Sequence, residues 1–252
     1  MIYFVSDIHL GAGSDAEARR TERAFCCWLD YVAKDAEAIY LLGDVFDFWF
    51  EYHRVVPKGF VRVLSRLAEL SDRGVQIVLY TGNHDMWCYD YLARECGIRI
   101  EAKPKVGLIY GKAVHLAHGD NMNIHGDTTL RIMNAFFRSR VARLLFSWLV
   151  HPDLALKFGQ WWSGKSRKSH GGDNITTEHL DFLKDYARCH YAEHGDTYAY
   201  IFGHMHLPHA CVDGDFRALF LSDWSHDVAT YASMTFDATL ELKTFNIDET
   251  VS

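Results

Sequence analysis

The chain reads as an α/β protein with mixed sheets, and three observations lead to that class. Short, wholly apolar runs alternate with stretches of helical periodicity through the first half. In the last quarter, strand-type runs follow one another too closely for helices to lie between them. The composition is that of a folded protein: 252 residues, 49% hydrophobic, 23% charged and only four prolines. Such a chain can bury a sizeable core and lacks the make-up of a disordered one. Strand–helix alternation builds layered sheets with parallel pairs, whereas strand–strand succession adds antiparallel ones.

The elements follow in order. Residues 2–5 form an apolar run that enters a polar turn at 6–14. Residues 16–34 then carry Ala24, Trp28, Leu29 and Val32 at helical spacing. Residues 38–42 read as a buried strand ending at Gly43-Asp44. A helix is predicted over 58–73, with Phe60, Val63, Leu64, Leu67 and Leu70 on one face and Gly74 as its stop. The third strand, 75–80, runs into Thr81-Gly82-Asn83, and a short helix over 89–96 precedes strands near 105–110 and 112–116. Beyond a helix at 177–194, strands are predicted at 198–202, 217–221, 229–236 and 239–245. The whole of 1–252 is read as one domain carrying a helical insertion at about 121–175.

That insertion differs from the rest in charge. The chain holds 26 Lys+Arg against 33 Asp+Glu, a net charge of −7. Residues 119–175 contain eight basic and four acidic residues, so this stretch is at +4 and the remainder at −11. Its apolar positions (Ile132, Phe136, Phe137, Val141, Leu144, Leu145, Trp148, Leu149) recur at helical spacing. An acidic chain is a poor general nucleic-acid binder, so no nucleic-acid partner is expected. The N-terminus lacks the basic and apolar regions of a secretory signal, and no run approaches the roughly 18 apolar residues of a membrane span. The six cysteines form no CxxC pair, as suits reduced thiols in the cytoplasm.

The functional signal lies at the strand ends. Asp7 and His9 follow the first strand, Asp44 the second, and Asn83, His84 and Asp85 the third. His118-Gly119-Asp120 follows the strand near 114–117, and Gly203-His204-Met205-His206 the strand at 198–202. Ligands of open α/β sheets sit outside the carboxyl ends of the strands, so five such clusters converge on one side. Each taken singly is ordinary turn chemistry. Together they supply carboxylates, an amide oxygen and imidazoles, the donors needed by two divalent ions about 3.5–4 Å apart that share a carboxylate. This mixture suits Mn²⁺, Fe²⁺ or Zn²⁺ better than Ca²⁺ or Mg²⁺, which favour oxygen.

Asp7-Ile8-His9, Gly43-Asp44-Val45-Phe46-Asp47, Gly82-Asn83-His84-Asp85, His118 and Gly203-His204-Met205-His206 resemble, in order, the motif blocks of the calcineurin-like metallophosphoesterases. The resemblance implies a four-layer α-β-β-α sandwich and two metals, with Mn²⁺ favoured. It assigns one ion to Asp7, His9, Asp44 and His206, and the other to Asp44, Asn83, His118 and His204. His84, oriented by Asp85, would contact the phosphate. A narrower resemblance is to the UDP-2,3-diacylglucosamine diphosphatases of lipid A synthesis. It rests on Leu41–Trp49, on His118-Gly119-Asp120 before the insertion, and on Leu221-Ser222-Asp223-Trp224. That family releases UMP and lipid X at the cytoplasmic membrane surface, beneath a lid formed by the insertion. His84 is a departure, since well-known members carry Arg there.

A lipid-linked sugar nucleotide needs cations for its diphosphate and an apolar trough for its chains, and the insertion has both. Arg138, Arg140, Arg143, Lys165, Arg167 and Lys168 are the candidate diphosphate contacts. Its cationic amphipathic character also suits peripheral contact with an anionic membrane surface. Hydrolysis of another phosphodiester or nucleotide pyrophosphate is the alternative activity.

Overall fold

The computed structural model describes residues 1–122, 137, 139–170 and 176–247, with the backbone alone for residues 140 and 165–170. Strands β1 (Ile2–Val5), β2 (Ala38–Leu42) and β3 (Gln76–Tyr80) run parallel in register and alternate with helices α1 (Asp15–Val32) and α2 (Val61–Asp72). Helix α3 (Tyr91–Cys96) leads into β4 (Arg99–Glu101), which completes that edge. Strands β5 (Lys105–Ile109) and β6 (Lys112–Ala117) form an antiparallel pair. After α4 (Arg140–Leu149), α5 (Pro152–His170), a 3₁₀ turn at Thr177–Leu180 and α6 (Asp181–His194), the chain forms β7 (Thr197–Phe202). It ends in β8 (His209–Asp213), β9 (Phe216–Phe220), β10 (Val228–Met234) and β11 (Leu240–Asn246). One sheet has the order β11-β10-β1-β2-β3-β4 and the other β5-β6-β7-β9-β8.

The period of two along each strand divides its side chains between layers. On β1, Tyr3 and Val5 join Phe25, Trp28 and Leu29 of α1 in one core, while Ile2 and Phe4 face the second sheet. There they meet a cluster that includes Val114, Leu116, Ala199 and Ile201. The outer face of the second sheet packs Tyr200, Phe202 and Phe220 against Leu183 and Ala187 of α6. This is the α-β-β-α sandwich. It explains why β1 to β3 read as continuous apolar runs, for a strand covered on both faces has no polar side to show.

The antiparallel pairing expected near the C-terminus is present as β10–β11, with β1–β10 beside it; β8–β9 is a further antiparallel pair made by a strand the sequence does not predict. Strand β4 is only three residues long and β8 is largely exposed, so neither presents an apolar run, although the edge strands β5 and β11 do read as strands.

Candidate active site

The carboxyl ends of β1, β2 and β3 in one sheet, and of β6 and β7 in the other, open on the same side. The backbone ties these turns together before any side chain contributes. Asp7 and His9 donate their amides to the carbonyls of Gly43 and Asp44 at 3.1 and 3.0 Å, and Gly203 donates to His118 at 3.0 Å. Asp7, His9, Asp44, His204 and His206 all adopt positive φ, between 49° and 72°. They are five of the eight non-glycine residues with positive φ among the described residues. Each such position costs on the order of 1–3 kcal/mol and persists only where surrounding contacts enforce it, typically at functional sites. Gly82 is required by close approach, since a Cβ there would collide with the Asp44 carboxylate.

The side chains converge accordingly. Asp44 Oδ2 lies 3.3 Å from His118 Nε2, 3.8 Å from His84 Nε2 and 4.0 Å from His9 Nε2. Its Oδ1 accepts the amide of His84 at 2.9 Å. Asp7 Oδ1 is 3.2 Å from His206 Nε2, and the His9 and His206 Nε2 atoms are 3.2 Å apart. Asn83 Oδ1 is 3.3 Å from His118 Nε2, and the His204 ring lies 5.1 Å from that of His118. All seven residues expected as ligands, with His84 beside them, are therefore brought together.

The outer contacts aim these rings. His118 donates Nδ1–H to the Leu42 carbonyl at 2.8 Å, which turns Nε2 toward Asp44. His84 donates Nδ1–H to the Asp47 carbonyl at 2.8 Å. A carbonyl can only accept, so both tautomers are determined and each Nε2 faces the cluster. The expectation that Asp85 orients His84 is corrected by this geometry. The Asp85 carboxylate is occupied by the amides of Gly82 (2.7 Å) and Val45 (2.8 Å), where it staples two motif loops together. Burial and the neighbouring Asp44 charge push its pKa up to about 7.

Burial works against the cationic forms of His118 and His206. Asp44 nevertheless holds His118 well above the ordinary histidine range, and Asp223 with Asp7 holds His206 up to about 10. His9 receives less compensation, and burial pushes it down to about 3. Buried carboxylates facing several imidazole nitrogens form a cation cradle, with three overlapping groups that could hold a metal among the described residues: Asp7, His9 and His206; Asp7, Asp44 and His118; and His9, Asp44 and His84. The donor set thus fits two divalent ions.

Asp223, which the sequence singles out only as part of the Leu221–Trp224 motif, is a further functional candidate. Its Oδ2 lies 3.3 Å from His206 Nδ1, and the adjacent Trp224 amide donates to the Asp7 carbonyl at 3.2 Å. Carboxylates behind a ligating imidazole typically contribute 10–100-fold to metal affinity. Asp223→Asn is expected to weaken Mn²⁺ binding within that range. The sign of the pH effect follows from His206: its raised pKa means that metal must displace a proton at neutral pH, and less so as pH rises toward 10. The variant should release about one proton fewer per metal near pH 8, measured by calorimetry in buffers of different ionisation enthalpy. Equal affinity and equal proton release in the two proteins would remove Asp223 from this role.

Of the candidate diphosphate contacts, Arg138 lies outside the described residues. The side chains of Arg140, Lys165, Arg167 and Lys168 do as well. Arg143 is described, and its guanidinium stacks on Tyr89 at 3.9 Å. It borders an apolar pocket that Phe48, Phe50, Trp87, Phe137 and Phe146 also line. The pocket lies between the motif loops and the insertion. His115 is not part of the cluster; it is buried in the second sheet, with Nε2 3.1 Å from the Tyr186 hydroxyl.

Residues 1–208 match the family model described as calcineurin-like phosphoesterase. A UDP-2,3-diacylglucosamine hydrolase of Porphyromonas gingivalis is 38% identical over 237 residues, covering 88% of this chain and 90% of that protein. The protein of the same name from Pseudomonas paraeruginosa is 31% identical over 231 residues, with 88% and 90% covered. Among solved structures, an archaeal phosphodiesterase aligns with a TM-score of 0.48 at 12% identity, covering 97% of this chain and 99% of that one.

Proposed function

Because the chain belongs to the calcineurin-like phosphoesterase family and is a metal-dependent hydrolase, we propose that it cleaves the diphosphate of UDP-2,3-diacylglucosamine to UMP and 2,3-diacylglucosamine 1-phosphate. The observation that carries this reading is the apolar, aromatic pocket beside the buried donor cluster, bordered by Arg143. A diphosphate at the cluster would place acyl chains within reach of that pocket. The named relatives from two organisms support the same substrate.

In this reading 1–252 is one domain whose insertion covers the site. Asp7, His9, Asp44 and His206 hold one ion and Asp44, Asn83, His118 and His204 the other. Mn²⁺ is the favoured metal, with Fe²⁺ and Zn²⁺ as alternatives. Bound metal lowers the pKa of water toward 7 and neutralises charge on the phosphate. Asp44 holds the two halves of the centre together from the end of β2. His84, held by the Asp47 carbonyl through Nδ1–H, would donate Nε2–H to a phosphate oxygen in its doubly protonated form. The aromatic pocket excludes water from the chain-bearing side. Arg143, with Arg138, Arg140, Lys165, Arg167 and Lys168, supplies positive charge for the diphosphate.

Among the described residues no helix is long and apolar enough to cross a membrane. Trp148 and Leu149 of α4 are 88% and 80% exposed, and Val141, Leu145 and Trp161 extend that apolar surface. An exposed face of this kind on a cationic insertion supports peripheral contact with an anionic inner-membrane surface. Incubation of the full chain with Mn²⁺ and UDP-2,3-diacylglucosamine should release UMP, followed by chromatography. Absence of UMP at high enzyme concentration, while a simple phosphodiester is cleaved, would transfer the activity to another substrate.

A further inference from the structure

Asp47 is 4% exposed and sits where three elements meet. Its amide donates to the Leu10 carbonyl at 3.0 Å and its carbonyl accepts from His84 at 2.8 Å. Its Oδ1 lies 3.7 Å from His9 Nδ1, and the Ser163 hydroxyl of α5 donates to that same oxygen. Ser163 is 116 residues away in sequence and 1% exposed, on a helix whose Leu154, Phe158, Trp161 and Trp162 are open to solvent. Among the described side chains of α5, the buried positions are Ala155, Gly159 and Ser163, four residues apart and hence on one face. A Cβ at Gly159 would strike the Phe48 ring, so the helix lies directly on the Gly-Asp motif loop. Small residues bring the helix close, and Ser163 makes its polar contact at the end of the stripe.

His9 completes the picture. Its Nδ1 is buried without a hydrogen-bond partner while its Nε2 faces His206, Asp7 and Asp44. A buried donor left unmatched costs free energy, and the carboxylate opposite it is the one held by Ser163. We propose that Ser163 is a positioning residue that, through Asp47, couples the seating of α5 to the orientation of His9. The centre then reaches full metal affinity only with the insertion docked. This rests on the reading of His9 as a metal ligand and is independent of which substrate is cleaved.

Mn²⁺ titration of the metal-stripped full chain by calorimetry tests it. Ser163→Ala should bind Mn²⁺ about tenfold more weakly, the lower end of the usual effect of contacts behind a ligand. Its kcat on bis(4-nitrophenyl) phosphate, which has no acyl chain for the insertion to hold, should fall while KM holds. Ser163→Thr keeps the hydroxyl and should recover most of the affinity. Asp47→Asn, which keeps an acceptor for Ser163 and removes the charge facing His9, should lose at least as much as Ser163→Ala. Should the alanine variant fail to fold, as thermal melting would show, Ser163→Cys, close in size and a weak donor, takes its place with the same expected loss and the same overturning result. Mn²⁺ affinity within twofold of the parent in Ser163→Ala and Asp47→Asn would overturn the coupling. So would a threonine variant as weak as the alanine one. Failure to release UMP from the lipid substrate, with Mn²⁺ affinity still responding to Ser163, would remove the substrate reading and leave the coupling in place.

Discussion

Asp44→Ala is expected to abolish turnover and reduce metal loading from two ions per chain to at most one. The reason is geometric. Asp44 is buried and its Oδ2 faces His118, His84 and His9 within 4.0 Å, so its charge serves both halves of the cluster. Its Oδ1 also carries the amide of His84, and so shapes the Asn83 loop. Removing the carboxylate leaves several imidazoles converging with too little negative charge to hold two dications, and only Asp7 and Asp120 then oppose the burial that favours neutral His118. With the second ion lost, too little positive charge would remain to acidify a water molecule and to neutralise the phosphate together. Metal analysis of the desalted variant and a UMP-release assay check both parts. Asp44→Asn, close in volume and without the charge, separates the electrostatic effect from a packing defect. Two ions and an undiminished rate in either variant would exclude a bridging role.

The second large effect is expected at His84. Its Nδ1–H is committed to the Asp47 carbonyl, and its ring lies 4.8 Å from that of His9, centroid to centroid. Placed beside the proposed ligands, it can act on a phosphate oxygen or on the leaving group. His84→Ala should lower kcat by about 10²-fold or more, the range for loss of a positioned proton donor. The metal content should stay at two, because Asp7, His9, Asp44, Asn83, His118, His204 and His206 are untouched. His84 also groups with His9 and Asp44, so loss of metal in parallel with activity would show that it is a ligand. A rate within twofold of the parent would make it a bystander.

Much of the site is legible in the sequence, and particular residues show why. Asp7 and His9, Asp44, Asn83 and His84, and His204 and His206 each directly follow an apolar run. A strand's end is readable there because burial on both faces leaves a continuous apolar signature. Convergence then follows from parallel pairing. The edge strands β4 and β8 carry no such signature, and nothing in the local pattern marks them. Asp47, which the sequence presents only as the end of the Gly-Asp motif, orients His84 through its carbonyl. Sequence adjacency suggests the same task for Asp85, but its carboxylate turns inward to the amides of Gly82 and Val45.

The layered fold and the set of donors are each encoded over a few neighbouring residues, so the order of residues suffices to establish them. Tertiary structure decided how those donors are aimed. Leu42 sets the His118 tautomer from 76 residues away, Asp223 backs His206 from a separate loop, and Ser163 reaches Asp47 across 116 residues. The positive φ values at five of the site residues likewise exist only because the other turns hold them. Hydrogen bonds and strain of this kind depend on distances between segments that share no local pattern, so they come into being only when the two sheets close on each other.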